Sequence, residues 1–458
     1  MKKFVCLILL VALTLTLFGC SASKQEAVTL KVGFDMQDVT PQYTVGLGGY
    51  SDAETRKHTG VLDPIYVTCI AYNYGEETVL MYTMDVSAAS DGLTDTAQQM
   101  ISKATGVKQD HIIITATHTH SGPAVTSGEA DATRFKGDLY AGMIAAAEKA
   151  LADLAPATIF TGVKEIDGMN FDRHYIMSDG KYESETEDIT YTSHCTESDK
   201  RMMLLKFDRE EGKKDILLVN WQAHPDHAHQ NGYTMMSADY PGALRNHVME
   251  ETGMLCAFIP GASGNQNPNS KVQSEKTGLK MQQYGKKLGE YAVEALEDLK
   301  QVGNEGIAIT SKVVDTEIDH SLDHMIKQAN EVYNVWKSQG MDAGNALAKE
   351  YGIYGVYHAR AIRDRKPMAA TKPLTLYALR VGDVGFSSGM YEMFSDAGMY
   401  IREHAPFETV MICQGNYSYI ASDWAFDYHT YESNTGYYAK GTAEMLAKEF
   451  VSLLETVK

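Results

Sequence analysis

The sequence IIITATHTHSGP, residues 112–123, places two histidines directly behind a run of apolar and β-branched residues. Three consecutive isoleucines predict a buried strand, and the Ser-Gly-Pro after the histidines predicts a turn. Because side chains alternate along a strand, His118 and His120 are expected on the same side of its end. Imidazole nitrogen is a preferred zinc ligand, so the stretch indicates a metal site at the mouth of a strand. The alternative is one structural and one exposed histidine.

Apolar strand-like runs alternate with helical segments on both sides of this stretch. Strands are predicted at residues 28–36, 65–73, 78–86, 157–166, 201–208, 215–223, 254–260, 374–381, 384–388 and 408–413. Helices are predicted near residues 93–105, 136–154, 275–300, 391–404 and 440–456. This alternation predicts an α/β fold in which layered mixed β-sheets are flanked by helices.

A charged and mostly helical segment, residues 321–352, interrupts this pattern. Two interpretations remain open for it. One is a lid over an acyl chain, and the other, which we favour, is a structural insertion.

The first twenty residues have the composition of a targeting segment. Lys2 and Lys3 precede an apolar run at 4–17, which is too short for an ordinary transmembrane helix. The run ends in Leu-Phe-Gly-Cys, which resembles a bacterial lipoprotein signal and implies cleavage before Cys20 and lipid attachment there. We therefore expect a signal peptide at 1–19, a lipidated tether at 20–29 and an extracytoplasmic protein anchored to the membrane. The alternative is a secreted protein cleaved near Ala22.

Charge and cysteine usage narrow the possible partners. The formal net charge of −19 argues against a nucleic-acid partner. Cysteines 69, 195, 256 and 413 are isolated and show no CxxC spacing. Cys69 and Cys413 lie in apolar runs and are predicted to be buried thiols.

Polar residues that suit chemistry also follow other predicted strands. His224 ends the strand at 215–223 just as His118 ends its own, whereas His227 and His229 are predicted to be surface residues. Glu392 is expected in the first turn of a helix, where a carboxylate also has a purely dipolar role. The loop at 261–269 contains glycines that allow backbone amides to approach a ligand closely.

Taken in order, these segments resemble the neutral/alkaline, non-lysosomal ceramidase family, in its N-terminal catalytic domain. The similar segments are ATHTHSGP (116–123), the Gly-rich region 33–50, NWQAH (220–224), SADYPG (237–242), GMYE (389–392) and YE (431–432). The resemblance covers residues 30–456 and implies one ceramidase-like zinc hydrolase domain at 30–458. It also leads us to expect no C-terminal immunoglobulin-like domain of the kind that ceramidases of the family carry.

The resemblance implies one zinc ion per chain. Carried over residue by residue, the implied ligands are His118, His224, Glu392 and Tyr431. Tyr431 is preferred to Tyr428 because a Tyr-Glu pair matches the family pattern. The resemblance further implies that His120 moves protons or binds the carbonyl oxygen, and that Arg173 helps to fix the substrate.

The loop departs from the family at a functional position. The family carries Gly-Asp-Val-Ser-Pro-Asn, whereas this chain reads GNQNPN at 264–269. Asn267 therefore occupies the catalytic serine position, where its amide can donate to an oxyanion but cannot act as a nucleophile. Gly264 and Asn265 are expected to bind substrate.

The sequence therefore predicts a zinc-dependent amide hydrolase, ceramidase-like, acting on a small-molecule or lipid N-acyl substrate such as N-acylsphingosine. Two alternatives remain. One is a hydrolase of the same fold that cleaves a different small amide or ester. The other is a non-catalytic surface lipoprotein that binds zinc or a small solute.

Overall fold

The computed structural model describes residues 28–50, 54–184, 190–228, 232–269, 280–415 and 417–458. The predicted signal peptide, the lipidation site Cys20 and His229 lie outside these ranges. Among the described residues, none of the helices combines the length and apolar character that crossing a membrane requires.

The larger of two main sheets, here called the large sheet, contains the strand that precedes His118. Its strands lie side by side in the order Leu255–Pro260, Ile216–Trp221, Arg201–Arg209, Ala155–Glu165, Leu30–Asp38, Tyr66–Tyr74, Glu77–Met84 and Ile112–Ala116. Lys300–Gln301 also pairs with Ala155–Glu165. The two terminal pairs of this order are parallel and the others are antiparallel. The predicted mixed sheet is confirmed, and Tyr66–Tyr74 and Glu77–Met84 form an antiparallel hairpin in it.

The small sheet has the strand order Ile307–Glu317, Thr371–Val381, Val384–Gly389 and Thr409–Gln414. Its last two strands are parallel. One face of the small sheet packs on the large sheet in a shared apolar core, where Phe386 lies 6.3 Å from Tyr72 between ring centres. The two sheets therefore form the centre of the molecule.

Helices cover the outer face of each sheet. Asp91–Thr105, Ala130–Ala152, Asp239–Thr252 and Met281–Glu294 pack on the large sheet, and Ser395–His404 and Thr442–Val457 pack on the small sheet. The first of these helices is capped by Ser90, whose side chain accepts the Leu93 N–H, and by Gly106 in a left-handed conformation. The result is a helix–sheet–sheet–helix sandwich, which confirms the predicted α/β class.

The segment after the long edge strand is helical, as predicted. Ile326–Gln339, Met341–Glu350 and Val356–Arg365 pack on one another around an apolar cluster of their own. The third helix lies beyond the predicted limits of the segment. It brings the segment to the cavity described below.

Short elements connect these layers. The short strands are Gly60–Val61, Asn170–Asp172, His174–Met177, Tyr182–Ser184, Tyr191–His194, Met235–Met236, Gln266–Pro268, Glu392–Met393 and Tyr419–Ile420. The short helices are Gln109–His111, Ala295–Asp298, Asp323–Met325, Asp423–Asp427 and Tyr431–Thr435.

The structure corrects two local predictions and adds one strand that was not predicted. Glu392 lies in the short strand Glu392–Met393, and the helix begins only at Ser395. His227 is fully buried and packs against the Tyr284 ring at 4.9 Å, so it is not a surface residue. The strand Ile307–Glu317 was not predicted, because its many polar and half-exposed side chains do not form a clear apolar run. By contrast, Cys69 and Cys413 are buried free thiols, as expected.

A buried ion pair fixes the end of the strand that adjoins the histidine stretch. Both terminal nitrogens of Arg245 donate to the Asp85 carboxylate, at 2.9 and 2.6 Å, and Asp85 also accepts the Tyr66 N–H at 2.8 Å. Both charged side chains are almost fully buried. The pair ties the helix Asp239–Thr252 to the backbone that leads into the site.

Replacing Arg245 with alanine is expected to lower the free energy of unfolding by about 3–5 kcal/mol, because the buried Asp85 carboxylate loses its counter-charge. Chemical denaturation measures the change. Lys164→Ala is the control, since it removes an ion pair with the exposed Glu294 and should cost about 0–1 kcal/mol. Equal effects of the two substitutions would contradict this interpretation of Arg245.

Candidate metal centre

His118 and His120 converge, but not through strand alternation. The strand ends at Ala116, and His118 has a left-handed backbone with φ of 70°, which is uncommon for a residue with a Cβ. The His118 N–H donates to Val86 O at 3.1 Å, and the His120 N–H donates to Pro225 O at 2.9 Å. The two Nε2 atoms lie 3.2 Å apart. The predicted proximity is therefore correct, and the loop backbone provides it.

His224 and Glu392 reach the same point from two other strand ends. The His224 backbone N–H donates to Gln266 O at 2.9 Å, and the Glu392 N–H donates to Ser418 O at 2.8 Å. Glu392 Oε1 lies 2.9 Å from His224 Nε2 and 3.3 Å from His118 Nε2. His118, His224 and Glu392 are 5%, 0% and 4% exposed, so the cluster is shielded from solvent.

Backbone carbonyls set the tautomer of both imidazoles. His118 Nδ1 lies 2.5 Å from Ser87 O, and His224 Nδ1 lies 3.1 Å from Gln266 O. A carbonyl oxygen only accepts, so each Nδ1 carries the proton and each Nε2 presents a lone pair. The ligand atoms of both histidines are thereby directed at Glu392.

These atoms satisfy the requirements of a metal site. His224 Nε2 and Glu392 Oε1 are buried and form no aligned hydrogen bond, although they are close neighbours. A tetrahedral ion with bonds of about 2.0–2.1 Å holds its ligand atoms about 3.3 Å apart, close to the separations here. His118, His120 and His224 together place one ligand atom each within 4.8 Å of the others. Two imidazoles and a carboxylate thus fit a divalent cation, with His120 beside them.

The electrostatics favour the ligand forms of Glu392 and His224. Burial alone would raise the pKa of Glu392, but the adjacent His118 and His224 outweigh it and hold that pKa well below its usual range. Burial, together with the nearby Arg173 charge, lowers the pKa of His224. Burial alone would also lower the pKa of His118, but the adjacent Glu392 carboxylate outweighs that effect, and the His118 pKa is raised. A carboxylate anion therefore faces the two imidazoles, as a cation requires.

His120 lies at the edge of the cluster. Its ring packs edge-on against Tyr50 at 5.0 Å, and a Cβ on Gly49 would come within 2.4 Å of the ring. Burial lowers the pKa of His120 well below its ordinary value, and its Nδ1 has no hydrogen-bond partner among the described residues. His120 is therefore a neutral imidazole with one nitrogen directed at the cluster.

Tyr431 lies in the wall of the cavity that Glu392 also lines. It begins the short helix Tyr431–Thr435, and its ring centre is 6.0 Å from that of Tyr419. Although 48% of the residue is exposed, burial around its hydroxyl raises the pKa of Tyr431 to about 12. Tyr428, the alternative, stacks on Tyr182 at 5.5 Å.

Arg173 is held mainly by protein groups. Its Nε donates to Glu432 at 2.7 Å, and its Nη2 donates to Gly264 O at 2.9 Å and also to Glu432. Its Nη1 lies 3.5 Å from Asn267 Oδ1. Arg173 and Glu432 are both buried. Burial alone would raise the pKa of Glu432, but the adjacent Arg173 and His174 outweigh that effect and lower it. Arg173 therefore connects the loop at 261–269 to the Tyr-Glu segment at 431–432.

The loop residues predicted to bind substrate form structural contacts. The Gly264 N–H donates to Met393 O at 2.8 Å, and a Cβ on Gly264 would come within 3.0 Å of two carbonyl oxygens. Asn265 donates to Asp172 at 3.1 Å and accepts the Ser395 N–H at 2.8 Å. These contacts fix the loop against the strand that carries Glu392.

Two orienting groups were not predicted, the carbonyl oxygens of Ser87 and Gln266. Every residue has a backbone carbonyl, so the sequence carries no local signal for this role. Their proximity to the imidazoles depends on how the loops fold.

Replacing Arg173 with alanine is expected to cost about 3–5 kcal/mol of unfolding free energy, because Glu432 would remain buried and ionised. Glu432→Gln in the same chain should restore a large part of this loss. Denaturant titrations of the two single variants and the double variant measure the coupling. A fully stable Arg173→Ala protein with only a raised KM would show that Arg173 acts on substrate alone.

The chain matches the family model described as neutral/alkaline non-lysosomal ceramidase, N-terminal, over residues 30–287. A crystal structure of neutral ceramidase from Pseudomonas aeruginosa is similar, with a TM-score of 0.70, 18% identity, and coverage of 94% of this chain and 75% of that one. A structure titled "Ceramidase complexed with C2" gives a TM-score of 0.69, 16% identity, and coverage of 93% and 75%. Since the family model covers more than half of its length, this chain belongs to the neutral/alkaline non-lysosomal ceramidase family.

Proposed function

We propose that the protein is a zinc-dependent hydrolase of N-acyl amides. The observation that carries this proposal is the buried convergence of His118 Nε2, His224 Nε2 and Glu392 Oε1 within 2.9–3.3 Å contacts. One zinc ion per chain would be held by these three residues, with Tyr431 as the fourth ligand from the cavity wall. The donor set is imidazole and oxygen, which suits zinc.

A bound zinc ion supplies Lewis acidity, which polarises a carbonyl and lowers the pKa of water to about 7. His120, a neutral imidazole beside the cluster, accepts the proton of the attacking water and donates it to the departing nitrogen. The carbonyl carbon gains a C–O bond and loses its C–N bond. Asn267 is proposed to donate to the developing oxyanion, in the position where the family has serine.

N-Acylsphingosine is one candidate substrate, since the structural relatives are titled ceramidases. A different, smaller amide or ester is the second candidate, and the asparagine at 267 favours it. The third candidate is a surface protein that binds zinc without turnover.

The amino-terminal sequence supports a further proposal, that Cys20 carries a lipid which holds residues 30–458 at an extracytoplasmic membrane surface.

Replacing both His118 and His224 with alanine is expected to abolish zinc retention and amide hydrolysis, because two of three buried ligands are lost. Metal analysis and turnover of an N-acyl amide measure the two effects. Chelation of the wild type should remove activity and added zinc should restore it. His324→Ala, an exposed histidine outside the cluster, is the control. Full zinc and full activity in the double variant would refute the ligand assignment.

Replacing Asn267 with alanine is expected to lower kcat about 10²-fold with little change in KM, since an oxyanion donor acts mainly in the transition state. Asn267→Asp keeps the size of the side chain but removes the donor, and it should cause a similar loss. Zinc content should stay at the wild-type level in both variants. An unchanged kcat in both would remove Asn267 from the mechanism.

A further inference from the structure

A cavity of about 190 Å³ adjoins Glu392 and is bounded by the last helix of the inserted segment, Val356–Arg365. Five of the eleven described residues that line it are tyrosines, at positions 357, 417, 419, 431 and 437. Ala361 is the only aliphatic side chain among the described residues that line it. The cavity is therefore polar next to the proposed metal.

The cavity wall is rich in hydrogen-bond donors. Besides Tyr431, the proposed zinc ligand, tyrosines 357, 417, 419 and 437 line the cavity. A phenolic O–H can donate a hydrogen bond. A ligand that suits such a wall offers several acceptor oxygens.

Arg360 adds the only cationic side chain among the described residues that line the cavity. Its Nε lies 3.4 Å from Asp364 Oδ2, and the two side chains are 45% and 46% exposed. An exposed pair of this kind is weak, so the guanidinium is available to a ligand at little cost. Guanidinium recognises carboxylate through a planar pair of donors.

The size of the cavity limits the group that it holds. Pockets for drug-sized ligands usually measure about 300–1,000 Å³. At about 190 Å³, this cavity encloses a compact polar group and leaves longer chains outside. A two-chain lipid therefore fits this wall less well than a short, charged amide.

We propose, resting on the proposed amide hydrolysis, that the substrates are N-acyl amides bearing a carboxylate on the amine side, as in N-acyl amino acids, and that Arg360 binds that carboxylate. Hydrolysis then adds water across the C–N bond and yields a fatty or short-chain carboxylate and a free amino acid. Water is the only co-reactant that this reaction needs.

Arg363 provides a matched control on the same helix. Its Nε donates to Asn330 Oδ1 at 2.7 Å, and its guanidinium lies 3.7 Å from the centre of the Tyr333 ring. It does not line the cavity. Arg363→Ala thus removes the same charge from the same helix without touching the proposed binding group.

The test compares kcat/KM for N-hexanoylglycine and N-hexanoylglycinamide, which differ in the charge of one group. The zinc-loaded wild type should prefer the carboxylate about tenfold, mainly through KM, and the preference should shrink at high salt. Arg360→Ala should abolish the preference, and Arg363→Ala should retain it. A wild type without preference, an Arg360→Ala protein that keeps it, or faster cleavage of N-hexanoylsphingosine than of N-hexanoylglycine would overturn the proposal.

Calorimetric binding of the same two compounds separates this proposal from the proposed function. If neither compound nor any other N-acyl amide is hydrolysed, the proposed function fails. Carboxylate-selective binding that depends on Arg360 and not on Arg363 would still support the binding role of Arg360. Equal binding of both compounds by all three proteins would refute that role, whether or not amides are hydrolysed.

Discussion

The face-to-face packing of the two sheets is the constraint on which the candidate site depends. His118 and His224 follow strands of the large sheet, whereas Glu392 follows the strand Val384–Gly389 of the small sheet. The carboxylate meets the imidazoles only because the shared apolar core holds the sheets in register. Hydrophobic burial is not directional, so hydrogen bonds must supply the final alignment. The loop at 261–269 provides them, since it contacts His224 through Gln266 O and the Glu392 strand through Gly264.

Two buried carboxylates beside the site are each neutralised by a buried arginine. Asp85 faces Arg245, and Glu432 faces Arg173, with all four side chains nearly inaccessible. Such pairs contribute little net stability but are costly to break, so they fix one arrangement of the strand ends. Glu392 differs from these carboxylates because it faces two imidazoles whose protons point away. With both imidazoles neutral, a bound cation would supply the positive charge that faces Glu392, which is the physical basis of the metal proposal.

Strand-end histidines were predictable because a sharp change from apolar to polar residues carries a clear signal. His118 and His224 were found in this way, whereas the α/β class was predicted from the alternation of strand-like and helical segments. Glu392 was assigned to a helix because GMYE precedes a helical pattern, and the short strand at 392–393 depends on pairing with the distant Tyr419–Ile420. His227 was misjudged because a polar cluster in sequence does not reveal aromatic packing from Tyr284. The Ser87 and Gln266 carbonyls had no side-chain signal at all.

Most residues that line the proposed substrate cavity lie outside the set of candidate metal ligands. The helix Val356–Arg365 brings Arg360 and Tyr357 to the wall of the cavity that Glu392 also lines. A buried ligand set constrains its residues strongly, because each lone pair must reach the same point. The cavity wall is less constrained, since a hydrogen-bond donor or an ion pair at its rim can be exchanged without disturbing the core. A shared metal centre with a different wall is therefore the arrangement expected when one fold serves amides of different polarity.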